Sequence, residues 1–236
     1  MMPLPSAGRR FTVRRTPGLA DIDPHRRMRL DALARLLQDV ATADGDDVGL
    51  GTRWVVRRGA VEAEQWPQLG ERLELTTFCS GLGPRWAERR TVLVGEGGAR
   101  VDAAVVWVWL DAEGRPAPLS ASFRAVFAEA AAGRTVKAGL RHGRPPAGAS
   151  TRRWEIRHSD LDVLGHVNNA ATWEAVVDEL ERWRPGRAVQ SAEIEYPGPL
   201  EVGDEVWLHR MVGADDLHLW MVVGGQVRAS AVVRVG

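Results

Sequence analysis

The stretch Ser159–Asn169, "SDLDVLGHVNN", packs two acids, one histidine and two asparagines into eleven residues. Apolar residues at helical spacing follow it: Trp173, Val176, Val177, Leu180 and Trp183. Short polar side chains ahead of such a run mark a helix cap, because they accept from the first free N–H groups of the helix. Asp160, Asp162 and Asn168 suit that role. The same cluster also suits a catalytic loop. A third reading, a metal site at Asp160, Asp162 and His166, finds no further His or Cys cluster to support it, and no metal is expected.

Working outward, the chain reads twice. "FTVRRT" at Phe11–Thr16 resembles "WEIRHS" at Trp154–Ser159. Asp21 and His25 fall over Asp162 and His166, an offset of 141. In "VEAEQWPQLGERLEL" and "IEYPGPLEVGDEVWL", Val61 falls over Ile194 and Gly70 over Gly203, an offset of 133. Arg100 of "ARVDAAVVWV" falls over Arg228 of "VRASAVVRV", an offset of 128. The falling offset is what a duplication leaves when its second copy loses loop residues.

Each copy has one grammar: a short strand, a polar loop, an amphipathic helix and then several strands. The first helix carries Leu30, Leu33, Leu36, Leu37 and Val40, and "DGDDVGLG" ends it; "RPGR" at Arg184–Arg187 ends the second. Hairpins turn at Gly95–Gly98 and Gly224–Gly225. The pattern predicts an α+β fold, two helices each wrapped by a curved antiparallel sheet. Its units are residues 9–133 and 151–236, joined by a Gly-, Pro- and Arg-rich linker over residues 134–150, with a short helix at Ser120–Ala132 before it. A single copy would leave a sheet edge and a helix flank open, so the copies are expected to pair edge to edge.

The bulk numbers narrow the function. Among 236 residues, 31 basic side chains balance 31 acidic ones, so no global field recruits nucleic acid or a membrane surface. A single cysteine, Cys79, excludes an internal disulfide framework and suits a reducing compartment; its flanks, "TTFCSGLG", read as a strand end and a structural thiol. "MMPLPSAGRRF" lacks an apolar signal core, and the expected location is cytoplasmic. Ten Trp stand beside one Tyr and four Phe, and such large apolar side chains line cores or pockets.

"SDLDVLGHVNN", read with its duplicated context, resembles the acyl-ACP thioesterase family, whose fold is a tandem (double) hot-dog. The family's C-terminal half carries a segment close to "SDLD-x-N-x-HVNN" ahead of a helix. "GHVNN" is also similar to single hot-dog thioesterases that act on coenzyme A esters. The resemblance implies a thioester hydrolase without a cofactor, acting on an acyl carrier protein or coenzyme A thioester. It makes the first copy the acyl-pocket half and the second the catalytic half. By position Asp162 matches the catalytic aspartate and His166 the active-site histidine. The family's intervening Asn falls on Leu164, and its later Glu and Cys fall on Pro199 and Leu200. What remains resembles the sparser site of single hot-dog enzymes, in which one carboxylate and backbone amides carry the chemistry.

On that reading Asp162 is base or nucleophile, and the amides of Gly165, His166 or Val167 at a helix N-terminus form the oxyanion hole. Asn168, Asn169, Trp173 and Trp54 are assigned to substrate binding, the two asparagines also serving as cap and tie. Trp66, Trp107 and Trp109 are further candidate walls, and bulky indoles point to medium or branched chains. The first copy's loop, with Pro24 and Arg26-Arg27 around His25, reads as degenerate. Glu174 and Asp178 read as solvated or ion-paired. Two basic groups, Arg85/Arg89/Arg90 and Arg152/Arg153 with Arg182/Arg184/Arg187, are candidate docking points for an acidic carrier. A homodimer through exposed sheet edges is a further expectation. The rival of another class is an acyl- or carrier-binding protein without activity, which Leu164 and Pro199 favour.

Overall fold

A computed structural model of the chain describes residues 2–51 and 53–236. In the first half, β1 (Phe11–Arg15) and α1 (Leu30–Asp47) precede β2 (Trp54–Gln65), β3 (Leu73–Leu82), β4 (Trp86–Gly95), β5 (Arg100–Trp109) and α2 (Ala121–Ala131). The second half repeats the order with β6 (Ser150–Trp154), α3 (Asn169–Trp183), β7 (Val189–Glu195), β8 (Val206–Val212), β9 (Asp216–Val223) and β10 (Gln226–Val235). All ten strands join one antiparallel sheet, in the order β1-β3-β4-β5-β2-β7-β10-β9-β8-β6. The second five positions mirror the first. The halves meet where β2 pairs with β7, with Ala60 opposite Glu193. Since 193 is 60 plus the offset of 133 read from the sequence, these two residues are each other's counterparts and lie on the pseudo-twofold axis.

The helices α1 and α3 pack together on one face of this sheet. Their apolar stripes meet β-strand residues of both halves in one core, in which Val40 and Val176 are 0% exposed. Full burial of each such side chain stabilises the fold by about 1.5–3 kcal/mol. The opposite face carries the linker. Trp86 and Trp220 donate their indole N–H groups to Val136 O and Gly143 O. The carboxylate of Glu195, buried on that face, accepts from the amides of Arg141 and His142 at 2.6 and 3.0 Å. α2 occupies the stretch read as a short helix. Ser120 caps it by accepting from Phe123 N, and the segment after it covers the part of β3 that β1 leaves unpaired, through Leu82 N to Arg134 O and Val136 N to Leu82 O.

The offsets of 133 and 128 fit the strand pairing, but the first two matches need correction. β1 and β6 pair with β3 and β8 so that Arg15 opposes Leu73 and Trp154 opposes Val206. Arg15 is therefore the counterpart of Trp154, an offset of 139, and "WEIRHS" begins where the strand ends. The same 139 runs through the loop: Asp21 corresponds to Asp160, Asp23 to Asp162, and Arg27 to His166. "DID" and "DLD" are the true echo.

α1 begins with a buried acid. Asp31, 1% exposed, accepts from both Arg29 and Arg35. Burial alone would raise its pKa, but the bonds from Arg29 and Arg35 outweigh it and hold the group below its ordinary 3.8. A depressed carboxylate contributes stability that is present above its unfolded pKa and lost as pH falls through the folded value. Asp31→Asn is expected to lower the melting temperature at neutral pH and to flatten its decline below about pH 4. Acid melting curves that stay parallel for both proteins would exclude this role.

Candidate functional site

The loop before α3 is held by its own backbone. Asp162 N donates to His166 O at 2.9 Å, Gly165 N to Asp162 O at 3.0 Å, and Asn168 N to Asp160 O at 2.7 Å. This tight reversal needs a left-handed residue, and Gly165 supplies it at φ +76°. The four polar groups of the loop then separate by role. Asp160, 2% exposed, accepts from the amide and guanidinium of Arg157. Arg157 reaches on to Glu174, which Arg35 also contacts, so this acid ties the loop to both helices. Asn168 accepts from Ala170 N at 2.8 Å and is the helix cap. Asp162 lies on the half-buried outer turn, where Oδ1 accepts from Leu164 N at 2.9 Å. Among the described residues Oδ2 has no partner.

The counterpart loop in the first half is closed by charge. Asp23 accepts from the amides of His25 and Arg27, each at 2.8 Å, and from Arg27 Nε at 3.1 Å. Arg26 stands at Gly165's position with φ +67°, a conformation that costs a non-glycine residue strain. The same backbone turn therefore carries an ion-paired aspartate in one half and, in the other, one that meets no cation among the described residues.

The expected oxyanion donors need revision. Gly165 N is spent on Asp162 O and Val167 N on Leu200 O at 2.8 Å. Of the three amides only that of His166 is without an acceptor among the described residues. Gly165 thus serves by its conformation rather than by its N–H. A residue missed in the sequence also enters here. Glu201 bridges backbone with His166, and its Oε1 lies 4.0 Å from His166 Nε2. Spacing placed the family's glutamate at Pro199, two residues short of this carboxylate; the nearby "EVGD" was the available signal.

Two adjoining cavities lie between the helices and the sheet. The inner one is lined by Asn169, Ala170 and Trp173 of α3, by Tyr196, and by Gly59 and Val61 of β2. Tyr196 donates its hydroxyl to Asn169 O at 2.9 Å, and burial pushes its pKa up. Ala41, Arg89 and Trp107 line both cavities and stand where the two adjoin. The farther cavity, about 170 Å³, is lined by Trp54, Cys79, Phe123 and Phe127 and opens to solvent beside Thr42, Asp46 and Gly51. Trp54 lies 5.0 Å from Phe123 and 5.1 Å from Trp109, ring centre to ring centre. Asn169, Trp173, Trp54 and Trp107 are therefore walls, whereas Trp109 backs Trp54. Trp66 lies outside both cavities and donates to Val189 O. Asp162, Gly165 and His166 line neither cavity; they lie on the loop that leads into α3, whose first residues Asn169 and Ala170 do. Cys79 is buried in the wall of the farther cavity, and loss of hydration pushes its thiol up to about 11, which makes it inert.

The basic groups read as docking points also change character. Arg89 faces the two cavities and pairs with buried Asp44, while Arg90 lies on the opposite face against Asp102. Arg152, Arg182 and Arg210 converge on one acid, Glu179. Glu174 is ion-paired, as expected. His142, Glu193 and Glu195 form a His/Glu cluster on the linker face. His142 is engaged there with Ser230 and Glu193. No helix among the described residues is long and apolar enough to cross a membrane.

Known proteins match this arrangement. The model of the acyl-ACP thioesterase N-terminal domain fits residues 9–119 and that of the C-terminal domain residues 144–225. An uncharacterized protein of Mycobacterium tuberculosis is 26% identical over 234 residues, covering 98% of this chain and 94% of its own. A Lactobacillus plantarum protein assigned as an oleoyl thioesterase superposes with a TM-score of 0.84 at 19% identity, over 99% of this chain and 98% of that one. The 12:0-ACP thioesterase from Umbellularia californica gives 0.79 at 19% identity, over 96% and 97%. These superpositions show a shared double hot-dog fold.

Proposed function

The chain belongs to the acyl-ACP thioesterase family of thioester hydrolases, and from that premise we propose that it releases fatty acid from fatty acyl carrier protein. The observation that carries the site assignment is the contrast between the two turns. Asp23 is locked by Arg27, whereas Asp162 keeps an oxygen without a partner among the described residues, on the loop that leads to Asn169 in the wall of the inner cavity.

In this reading the acyl chain lies in the cavities and its thioester carbonyl sits at the positive end of α3. Asp162 takes a proton from water as it attacks the carbonyl carbon, or attacks that carbon itself to give a mixed anhydride that water then hydrolyses to the free acid and the restored carboxylate. The His166 amide faces the developing oxyanion, and a donor of this kind is worth about 2.7–4 kcal/mol where one has been removed elsewhere. The His166 side chain, with Glu201 beside it, orients the carbonyl or the water. The C–S bond then breaks. A thiol of pKa near ~8.5 departs as thiolate with little acid assistance, so a sparse site suffices. The bulky rings of Trp54 and Phe123 narrow the space, which favours medium or branched chains.

One panel tests carrier and length together. Free-thiol release is measured for acyl chains of eight to eighteen carbons on both acyl carrier protein and coenzyme A. The expected result is faster turnover on the carrier protein and a maximum at eight to twelve carbons. Faster turnover of coenzyme A esters would make the chain an acyl-CoA thioesterase, and a maximum at the longest chains would remove the length assignment. Absence of thiol release from every ester would leave an acyl-binding protein.

A further inference from the structure

The turn that carries Asp162 has a counterpart in the first half, and the two backbones are bonded alike. In the second half Asp160 N donates to Arg157 O at 3.0 Å, Asp162 N to His166 O at 2.9 Å and Asn168 N to Asp160 O at 2.7 Å. At the counterpart positions Asp21 N donates to Gly18 O at 3.1 Å, Asp23 N to Arg27 O at 2.7 Å and Arg29 N to Asp21 O at 2.9 Å. The side chain of Asp160 accepts from Arg157 N at 2.8 Å, and that of Asp21 accepts from Gly18 N at 2.9 Å. The pattern therefore forms with or without an arginine at its start.

What differs is where charge pins each turn. The first is pinned on its outer aspartate, with Asp23 paired to Arg27 at 3.1 Å. Asp21 forms no ion pair among the described residues, and Gly18 has no side chain to offer one. The second turn is pinned on its inner aspartate instead. Arg157 Nη2 meets Asp160 Oδ1 at 2.6 Å and reaches Glu174 on α3. Glu174 meets Arg35 of α1 at 3.4 Å, and Arg35 meets buried Asp31 at 2.7 Å. Glu174 and Arg35 are themselves counterparts, so this tether crosses the pseudo-twofold axis into the other half. Asp162 takes no part in it. The distinction matters because a carboxylate bound to a guanidinium is a weaker base: the cation favours its charged form and occupies its oxygens.

Resting on the hydrolytic reading above, we propose that Arg157 is a positioning residue of this site. Held between Asp160 and Glu174, it fixes the loop in place of the cation that pins Asp23, so that Asp162 is held yet left unpaired. Arg157 touches no reacting atom. It acts through Asp160, whose carbonyl binds Asn168 N on the other arm of the turn, one step from the bond between Asp162 N and His166 O.

The test uses the intact protein and the octanoyl thioester of N-acetylcysteamine, an uncharged carrier, so that salt does not act through carrier docking. Arg157→Met and Glu174→Gln should each lower kcat by roughly tenfold and leave KM within about twofold, since a misplaced reacting group slows the chemical step. The tether is partly exposed, so high salt should lower the wild-type kcat toward that of Arg157→Met and leave the variant's kcat unchanged. A merely structural arginine would shift the melting temperature without this split or this salt response. Unchanged kcat in either variant, a change confined to KM, or an equal salt response in wild type and variant would overturn the proposal. If no ester is hydrolysed, the hydrolytic reading fails, and amide exchange decides the tether by itself. Faster exchange at Asp162 and Asn168 in Arg157→Met, with Asp23 and Arg29 of the first turn unchanged, upholds it as the pin of this loop. Unaltered exchange at Asp162 and Asn168 refutes it.

Discussion

Asp162→Asn is expected to lower kcat for thioester hydrolysis by about 10²–10⁴-fold, the usual contribution of a positioned base, with little change in stability. The substitution separates chemistry from structure. An asparagine oxygen can still accept from Leu164 N, which Asp162 does at 2.9 Å, so the turn and the start of α3 keep their geometry. The amide removes only the charge and the basic lone pairs. The first half supplies an internal control, because Asp23 occupies the equivalent position but is bound to Arg27. Asp23→Asn should cost some stability through that pair and leave kcat nearly unchanged. Rates of thiol release from one medium-chain ester, with melting temperatures for each variant, settle the matter. Equal activity of Asp162→Asn and wild type would move the chemistry elsewhere, with Glu201 the next carboxylate to change.

Much of this architecture was legible in the sequence because hydrophobic spacing and glycine punctuation are local signals. Gly70 and Gly203 both adopt positive φ, at +76° and +90°, so their match reflects one shared backbone requirement. The helix stripes, both hairpins and the short helix before the linker have the same local origin. The loop register went astray for an equally physical reason. In the second half the left-handed position is marked by Gly165, but in the first it is filled by Arg26, so the punctuation is missing. Asp-x3-His then aligned identical letters that occupy different places in the turn. "WEIRHS" misled in a similar way: its alternation continues past the strand, but Asp160 turns the chain at Arg157 by accepting its amide.

Function beyond the motif depended on contacts that no local pattern encodes. "DGDDVGLG" was read as the end of a helix, and α1 does stop there, at Asp47. Nothing in that string tells that Asp44 turns inward to meet Arg9 from 35 residues upstream and Arg89 from 45 downstream. Neighbouring arginines in "ERRTV" likewise suggested a basic surface, whereas strand alternation sends Arg89 toward the cavities and Arg90 to the opposite face.

The same network yields the largest expected loss of stability. Asp44→Ala should reduce the unfolding free energy by about 3–5 kcal/mol, as removing one member of a buried ion pair does when the other charge stays behind. Asp44 is 1% exposed and accepts from Arg9 Nε at 2.7 Å and from Arg89 Nη1. Both guanidiniums also lie over the ring of Phe127, 5.9 and 5.7 Å from its centre, which fixes this ring in the wall of the farther cavity. Without Asp44, Arg9 retains exposed Asp47, but Arg89 keeps, among the described residues, Thr77 and the face of Phe127. Denaturant unfolding of Asp44→Ala, Arg89→Met and the double variant resolves the cause. If the uncompensated charge is responsible, the double variant recovers most of the loss, because replacing a whole buried pair by apolar groups is often neutral. A loss below about 1 kcal/mol in Asp44→Ala would show that water reaches these charges freely. A double variant as unstable as the sum of its parts would assign the loss to packing around Phe127 instead.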